Sequence, residues 1–351
     1  MEKQASLVKA LVACAAIVII LAGIKAASEI VVPFLLSLFI AIICSPSLNY
    51  LTKKKVPYGL AIGLLLALIL IVFFFLFGLI NSTIQEFSQS IPQYRQLLGE
   101  RVNSLVALSQ SLKIPLDISE KSIMEHFDPS VIMNFVRRVF LSFSGVVTNI
   151  FVLVLVVIFM LLEAPYAKHK FAVVFSSDSK EISQQERYLD RILQGVISYL
   201  GVKTMMSLLT AICIWLLLEI VGVQYAILWA TLSFLLNYIP NIGSIIAAVP
   251  IIVQALLLNG FVVGLEVIIG VIAINMIIGN VLEPRLMGKK LGLSTLVVFL
   301  SLLFWGWLLG TVGMLLSVPL TMALKIALEA SPTTVKYALL LGDSDSAHES
   351  K

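Results

Sequence analysis

Charge is scarce in this sequence. Asp, Glu, Lys and Arg make up 13% of its 351 residues, about half the share a soluble domain carries. A fold kept in solution by a charged surface is excluded. Histidine is scarcer: His126, His169 and His348 all fall outside the apolar blocks, and no His-Glu-x-x-His pair exists to support a membrane metalloprotease. The lack of a G-x-x-x-x-G-K-[ST] loop argues against ATP hydrolysis by this chain. Cys14, Cys44 and Cys213 lie inside apolar blocks without metal-ligand spacing, so they read as reduced packing residues. No serine shows a buried catalytic partner, and neither an enzyme, a metal nor a cofactor is expected. Aspartate is missing from the core of every apolar block. A proton relay built on intramembrane carboxylates is left with Glu266 and Glu219, each near the end of its block.

What remains is apolar: 60% of the chain is hydrophobic. Blocks of membrane-spanning length recur at 8–25, 30–49, 59–81, 146–163, 199–220 and 261–282, and about 20 residues suffice to cross ~30 Å of hydrocarbon. Barrel strands would alternate with period two. These blocks do not, so they are helices with every backbone group paired internally. Two further stretches, 225–258 and 294–329, are broken in the middle, the first at Asn237-Tyr238-Ile239-Pro240-Asn241-Ile242-Gly243 and the second around Gly306, Gly310 and Gly313. Their arms of about 15 residues suit re-entrant helical hairpins, with Pro removing a backbone donor and Gly loosening the helix. The expected fold is an all-α polytopic membrane protein of about eight segments, two of them broken hairpins or paired short spans. A signal peptide is the competing reading of the N-terminus, since Lys3 and Lys9 precede an apolar run and Ala26-Ala27-Ser28 could be cleaved. The second apolar block, which follows at once, argues against it.

Lys53-Lys54-Lys55, the basic residues from Lys168 to Arg191, and Arg285, Lys289 and Lys290 all fall on one side if the N-terminus is cytoplasmic. The positive-inside rule therefore places both termini in the cytoplasm. Residues 1–81 then form three N-terminal helices and 82–145 a periplasmic amphipathic cap. Six basic and six acidic residues balance in that cap, and Pro92, Pro115 and Pro129 punctuate it. Residues 146–198 supply a fourth span and a cytoplasmic linker helix, 199–330 a transport core, and 331–351 a cytoplasmic tail. In the core, a span plus a broken stretch occurs twice in opposite orientation. Ala248-Val249-Pro250 and Ser317-Val318-Pro319 each follow a Gly by a few residues. An inverted repeat is the plan of many secondary transporters, although apolar sequences also resemble one another by composition alone.

Polar groups inside or at the ends of spans are the candidates for function. Asn237, Pro240, Asn241, Gly243 and Ser244 form the first break, where amides, hydroxyls and freed carbonyls could meet a hydroxylated solute or a cation. Capping of helix ends is the plainer use. Asn275 and Asn280 lie in a span that ends at Glu283-Pro284-Arg285; a buried Asn usually bonds a neighbouring helix, and Glu283 and Arg285 suit a helix-end salt bridge as well as a gate. Gly310, Gly313, Ser317 and Pro319 form the second break and its returning arm. Glu266 and Glu219 are the candidates for ion coupling. Trp305 and Trp307 suit interface anchors or the wall of a cavity, and Lys325 an i,i+4 pair with Glu329 or snorkelling.

The break at 237–244, the run Gly279-Asn280-Val281-Leu282-Glu283-Pro284-Arg285-Leu286-Met287-Gly288, Leu291-Gly292-Leu293-Ser294-Thr295 and the stretch from Val297 to Leu320 resemble the AI-2E family of bacterial transporters. Pro33-Phe34, the Lys53–Pro57 loop and Ile91-Pro92-Gln93-Tyr94-Arg95 fit as well, so the resemblance spans nearly the whole chain. It implies about eight membrane segments, a homo-oligomer in the bacterial inner membrane, and export of the quorum-sensing signal autoinducer-2. It also implies an alternative, since other members are associated with Na+ or H+ antiport. A small polyhydroxylated solute without fixed strong charge suits a site of Asn, Ser and backbone amides. A third class of reading is a non-transporting membrane scaffold whose 82–145 segment recruits partners.

Overall fold

The computed structural model describes residues 2–111, 134, 150–174, 179–240, 242–287, 292–330 and 333–342. Every regular element among them is helical: α1 (Glu2–Ala26), α2 (Ser28–Lys53), α3 (Tyr58–Ser111), α4 (Ile150–Val174), α5 (Ser179–Val221), α6 (Ala226–Leu236), α7 (Ile242–Gln254), α8 (Phe261–Ile274), α9 (Glu283–Met287), α10 (Thr295–Glu329) and α11 (Val335–Leu341). Two π-helical segments continue α7 and α8, at Ala255–Asn259 and Asn275–Leu282. Among the described residues six helices are long and apolar enough to cross a membrane, and α6, α7 and the apolar part of α1 are shorter. The chain itself buries no more than a third of any of the six apolar windows. The outward Ile, Leu, Val and Phe side chains are thus left for lipid or neighbouring chains, as befits a multi-pass membrane protein.

Tertiary contacts divide the chain into two units. The first comprises Met1–Leu66, Val146–Gly201 and Met287–Lys351; the second, Ala67–Gly145 and Val202–Leu286. The core of the first unit joins Ala41, Cys44 and Leu48 of α2 to Ala61, Ile62 and Leu66 of α3 and Leu153, Val157 and Leu161 of α4. Positions 153, 157 and 161 repeat every four residues and so lie along one ridge, and small Ala and Cys let the backbones approach. Two hydrogen bonds fix the register. Ser37 Oγ donates to the carbonyl of Leu153 at 3.3 Å, and Tyr58 OH to that of Leu161 at 2.6 Å.

The structure differs from the sequence reading at several boundaries. Pro92 does not punctuate: α3 runs unbroken through it, because one proline removes a single i→i−4 bond and the residues on either side remain good helix formers. The rest of the expected cap, including Pro115 and Pro129, lies outside the described residues. The expected linker helix and fifth span are one helix, α5, since no strong breaker separates Ser183 from Val221. Likewise α4 passes through Pro165 to Val174. Beyond the apolar part of α4, Lys168 pairs with Asp190 of α5 at 2.6 Å, and Lys170 pairs with Glu163.

Candidate functional site

The first broken stretch, in the second unit, is a helical hairpin. Its arms α6 and α7 have 11 and 13 residues. At 1.5 Å per residue α6 reaches only about 16 Å, and α7 with its π-helical continuation to Asn259 about 27 Å, both short of the ~30 Å hydrocarbon layer. Residues Asn237–Pro240 turn the chain, while Asn241 lies outside the described residues. Gly243 is obligatory by geometry: a Cβ there would sit 1.8 Å from the carbonyl oxygen of Leu236. Trp229 and Gln254 join the arms further down. The indole N–H donates to Gln254 Oε1 at 3.0 Å, and Gln254 Nε2 donates to the carbonyl of Gln224 at 3.0 Å. Both side chains are fully buried, so satisfying them is a condition of folding.

A polar face of α5 meets this hairpin. Lys203, Ser207 and Thr210 are spaced i, i+4, i+7 and so share one side of the helix, and all three are buried. Asn237 Nδ2 donates to Ser207 Oγ at 3.1 Å, and Tyr238 OH to Thr204 Oγ1 at 2.8 Å. At the end of the stripe Lys203 Nζ pairs with Glu283 Oε1 at 2.6 Å. Glu283, expected in a helix-end salt bridge or a gate, is thus one half of a largely buried ion pair with α5.

Between α5, α6, α7 and α8 lies a cavity of about 10 Å³, whose polar wall is Thr210, Ser233, Asn237, Ser244 and Asn275. Apolar residues such as Ile214, Ala247 and Val271 close the remainder. The volume admits one water-sized occupant. Asn275 opens the π-helical segment Asn275–Leu282, and such segments concentrate at functional sites because they redirect side chains and backbone carbonyls. Ser233 Oγ is buried with no hydrogen-bond partner among the described residues.

The second broken stretch, in the first unit, also folds back. Within α10, Gly310 adopts φ 68°, ψ −149°, a region open essentially to glycine. Trp305 Nε1 donates to Thr321 Oγ1 at 3.0 Å, although sixteen residues would separate them by about 24 Å along a straight helix. A Cβ on Gly313 would lie 2.0 Å from the carbonyl oxygen of Trp305. Gly243 and Gly313 therefore do the same work, each admitting the opposite arm just after its turn. Ser317 Oγ donates to the carbonyl of Met314 at 2.8 Å, and Pro319 is buried in the returning arm. Ser294 caps the first arm by accepting from the N–H of Val297.

The other expected positions fall elsewhere. Asn280 and Arg285 are exposed. Glu266 is exposed on α8, and Glu219 is exposed on α5, where its carboxylate accepts from Trp215 Nε1 at 3.2 Å. Neither glutamate lines the cavity. Trp305 is an internal strut, whereas exposed Trp307 carries Lys25 Nζ 4.0 Å from its ring centre. Lys325 pairs with Glu329 at 3.7 Å as expected, and also donates to the carbonyl of Gly292. Sequence reasoning missed Lys203, Ser207, Thr210, Ser233 and Gln254. The i, i+4, i+7 spacing of the first three was the available signal. Among the described residues no group of three or more His, Cys, Asp or Glu converges.

Comparison with known proteins places the chain in context. The family model described as AI-2E family transporter matches residues 14–333. A Haemophilus influenzae protein whose name assigns it to transport is 68% identical over 343 residues, 98% of this chain and 99% of that protein. The AI-2 transport protein TqsA of Escherichia coli is 42% identical over 327 residues, 93% of either chain. YhhT of Escherichia coli, also named for transport, is 40% identical over 328 residues, 93% of this chain and 92% of its own length.

Proposed function

The chain belongs to the AI-2E family of transporters, and from that premise we propose that it exports autoinducer-2, or a similar small polar solute, across the bacterial inner membrane. The observation that carries the reading is the first hairpin: two helices too short to span, whose turn brings Asn237 and Ser244 to a small polar cavity. Irregular backbone at membrane depth is tolerated only where protein or a water-lined cavity covers it. Discontinuous helices meeting near the midplane are where secondary transporters bind their cargo. The amides and hydroxyls of Asn237, Ser244 and Asn275 suit a polyhydroxylated solute that carries no fixed strong charge.

The cavity admits one water-sized group, so the geometry is that of a closed state. A solute with several hydroxyls enters only after the hairpin moves away from α5 and α8. In this reading hairpin movement, with one side open at a time, is the transport step, and no covalent chemistry is involved. The likeness of the turns at Gly243 and Gly313 supports an inverted repeat, and we take the protein to work as a homo-oligomer with both termini in the cytoplasm.

The test is transport by purified protein in proteoliposomes, comparing autoinducer-2 with sodium and proton movement. Autoinducer-2 flux that falls sharply in Asn237→Ala or Ser244→Ala supports the reading. Ion flux without autoinducer-2 movement sinks it and favours antiport. Loss of that ion flux in Glu266→Gln or Glu219→Gln would then assign the coupling to those carboxylates.

A further inference from the structure

The buried face of α5 changes character partway along it. Lys203, Ser207, Thr210, Ile214 and Leu218 follow one another at helical spacing and so lie on one side of the helix, and all five are buried. Up to Thr210 this face is polar; beyond Thr210 it is apolar. The cavity sits at the change, with Thr210 and Ile214 both in its wall. Its two ends therefore differ. Ile214 lies one turn past Thr210 on α5, Val271 one turn before Asn275 on α8, and Ile251 two turns from Ser244 on α7, so the three close the same end. Each is no more than 2% exposed, and an apolar wall of this kind stays dry.

The opposite end is polar. There the hairpin tip meets α5, with Asn237 on Ser207 and Tyr238 on Thr204. The ion pair lies just beyond. Lys203 precedes Thr210 by two turns of α5, and Glu283 closes the π-helical segment that Asn275 opens. Both charges thus stand on the order of 10 Å from the cavity, toward the same end. Past Glu283, the residues Pro284, Arg285 and Leu286 are exposed, so on that wall the pair is the boundary between covered and open surface. An ion pair at such a boundary holds loosely. While it is buried, the attraction between the charges about repays their lost hydration; when they part in a wetted path, water solvates each of them. Closed and open arrangements then lie near one another in free energy, which is the condition for a part that moves. The apolar end has no such second state.

We infer that Lys203 and Glu283 form a gate at the polar end of the cavity, and that the solute passes between them when they part and the hairpin tip releases α5. The inference rests on the transport reading, and in the orientation taken there the gate faces the cytoplasm.

The test reads access rather than flux. In the full-length protein with Cys14, Cys44 and Cys213 replaced by Ala, Ala247→Cys places a single thiol in the cavity wall. Its reaction with a membrane-impermeant maleimide is timed from either side of oriented vesicles. Arg285→Cys, exposed beside the pair, shows in a parallel sample which side the gate faces. Glu283→Gln strands the Lys203 ammonium, which draws water inward. Labelling from the gate side should then quicken about tenfold or more, as a shift of roughly 1.4 kcal/mol toward the open form would give. Lys203→Met/Glu283→Gln leaves no charge to hydrate and should return to the parent rate or below. Tyr238→Phe keeps both charges and loses one bond at the tip, so it folds even where Glu283→Gln does not. It should quicken labelling from the same side by a smaller factor. Labelling unchanged in every variant that folds overturns the proposal. A rise of equal size from both sides overturns it too, as does a double variant that labels as fast as Glu283→Gln, since either reports loosened packing. Autoinducer-2 flux is followed separately in wild type. Flux with ungated labelling defeats the gate alone, and gated labelling without flux defeats the transport reading alone.

Discussion

Breaking the ion pair between Lys203 and Glu283 should be among the most damaging single changes in the second unit. The Lys203 side chain is 4% exposed and that of Glu283 17%, with 2.6 Å between Nζ and Oε1. Exposed pairs contribute little, about 0–1 kcal/mol. A buried pair behaves differently, because removing one partner strands the other charge in a medium that cannot solvate it, at about 3–5 kcal/mol. The two single variants should not be equal. Glu283→Gln strands the more deeply buried Lys203, while Lys203→Met strands a carboxylate with some access to solvent, so Glu283→Gln should be the worse. The double variant Lys203→Met/Glu283→Gln removes both charges and should recover most of the loss, giving a coupling of about 2 kcal/mol or more. For a chain of this size, ~3 kcal/mol corresponds to a melting temperature lower by about 4 °C. The assay is thermal melting of the four proteins side by side in one detergent. If the single losses are small and simply add in the double variant, Lys203 reaches solvent along its own stem and the buried-pair argument is wrong.

Other expectations follow from the same geometry. Gly243→Ala and Gly313→Ala each drive a Cβ to within about 2 Å of a main-chain oxygen, so both should sharply reduce the yield of folded protein, whereas Gly59→Ala, with nothing within 4 Å, should melt like wild type. Trp229→Phe leaves the fully buried Gln254 without its donor and should cost about 1–3 kcal/mol in melting experiments. Trp305→Phe, at a half-buried strut, should cost less. Asn237→Ala loses its bond to Ser207 as well as a cavity oxygen. It should therefore lower both stability and solute flux, while Ser244→Ala should lower flux with melting nearly unchanged.

Much of this architecture was legible because a bilayer restricts the choices. Apolar blocks free of period-two alternation had to be helices, and blocks too short to span had to turn back within protein. The turn at Asn237–Pro240 and the kink at Gly310 fall inside the breaks that the sequence marked. Proline was the poorer guide. Pro33, Pro46, Pro92, Pro165, Pro250 and Pro319 all sit within helices, because each removes only one backbone donor. Glycine marks the turns more faithfully, since close approach and left-handed backbone both exclude a Cβ.

The site resisted reading for a different reason: its polar residues become meaningful only in pairs that are distant in sequence. Lys203 looks like a stray charge inside an apolar block until Glu283, eighty residues on, is found against it. Gln254 looks like an interface residue until Trp229 reaches it. Ser233 carries no local signal at all, since serine inside an apolar helix ordinarily turns back to its own carbonyls; what distinguishes it is the bond it fails to make. Identity and spacing can therefore place a polar residue on a buried face, as 203, 207 and 210 show. Whether that residue is a strut or a ligand depends on which of its hydrogen-bonding valences the fold has already used. By that measure Ser207 and Gln254 are spent on structure, whereas Ser233 Oγ has no partner among the described residues.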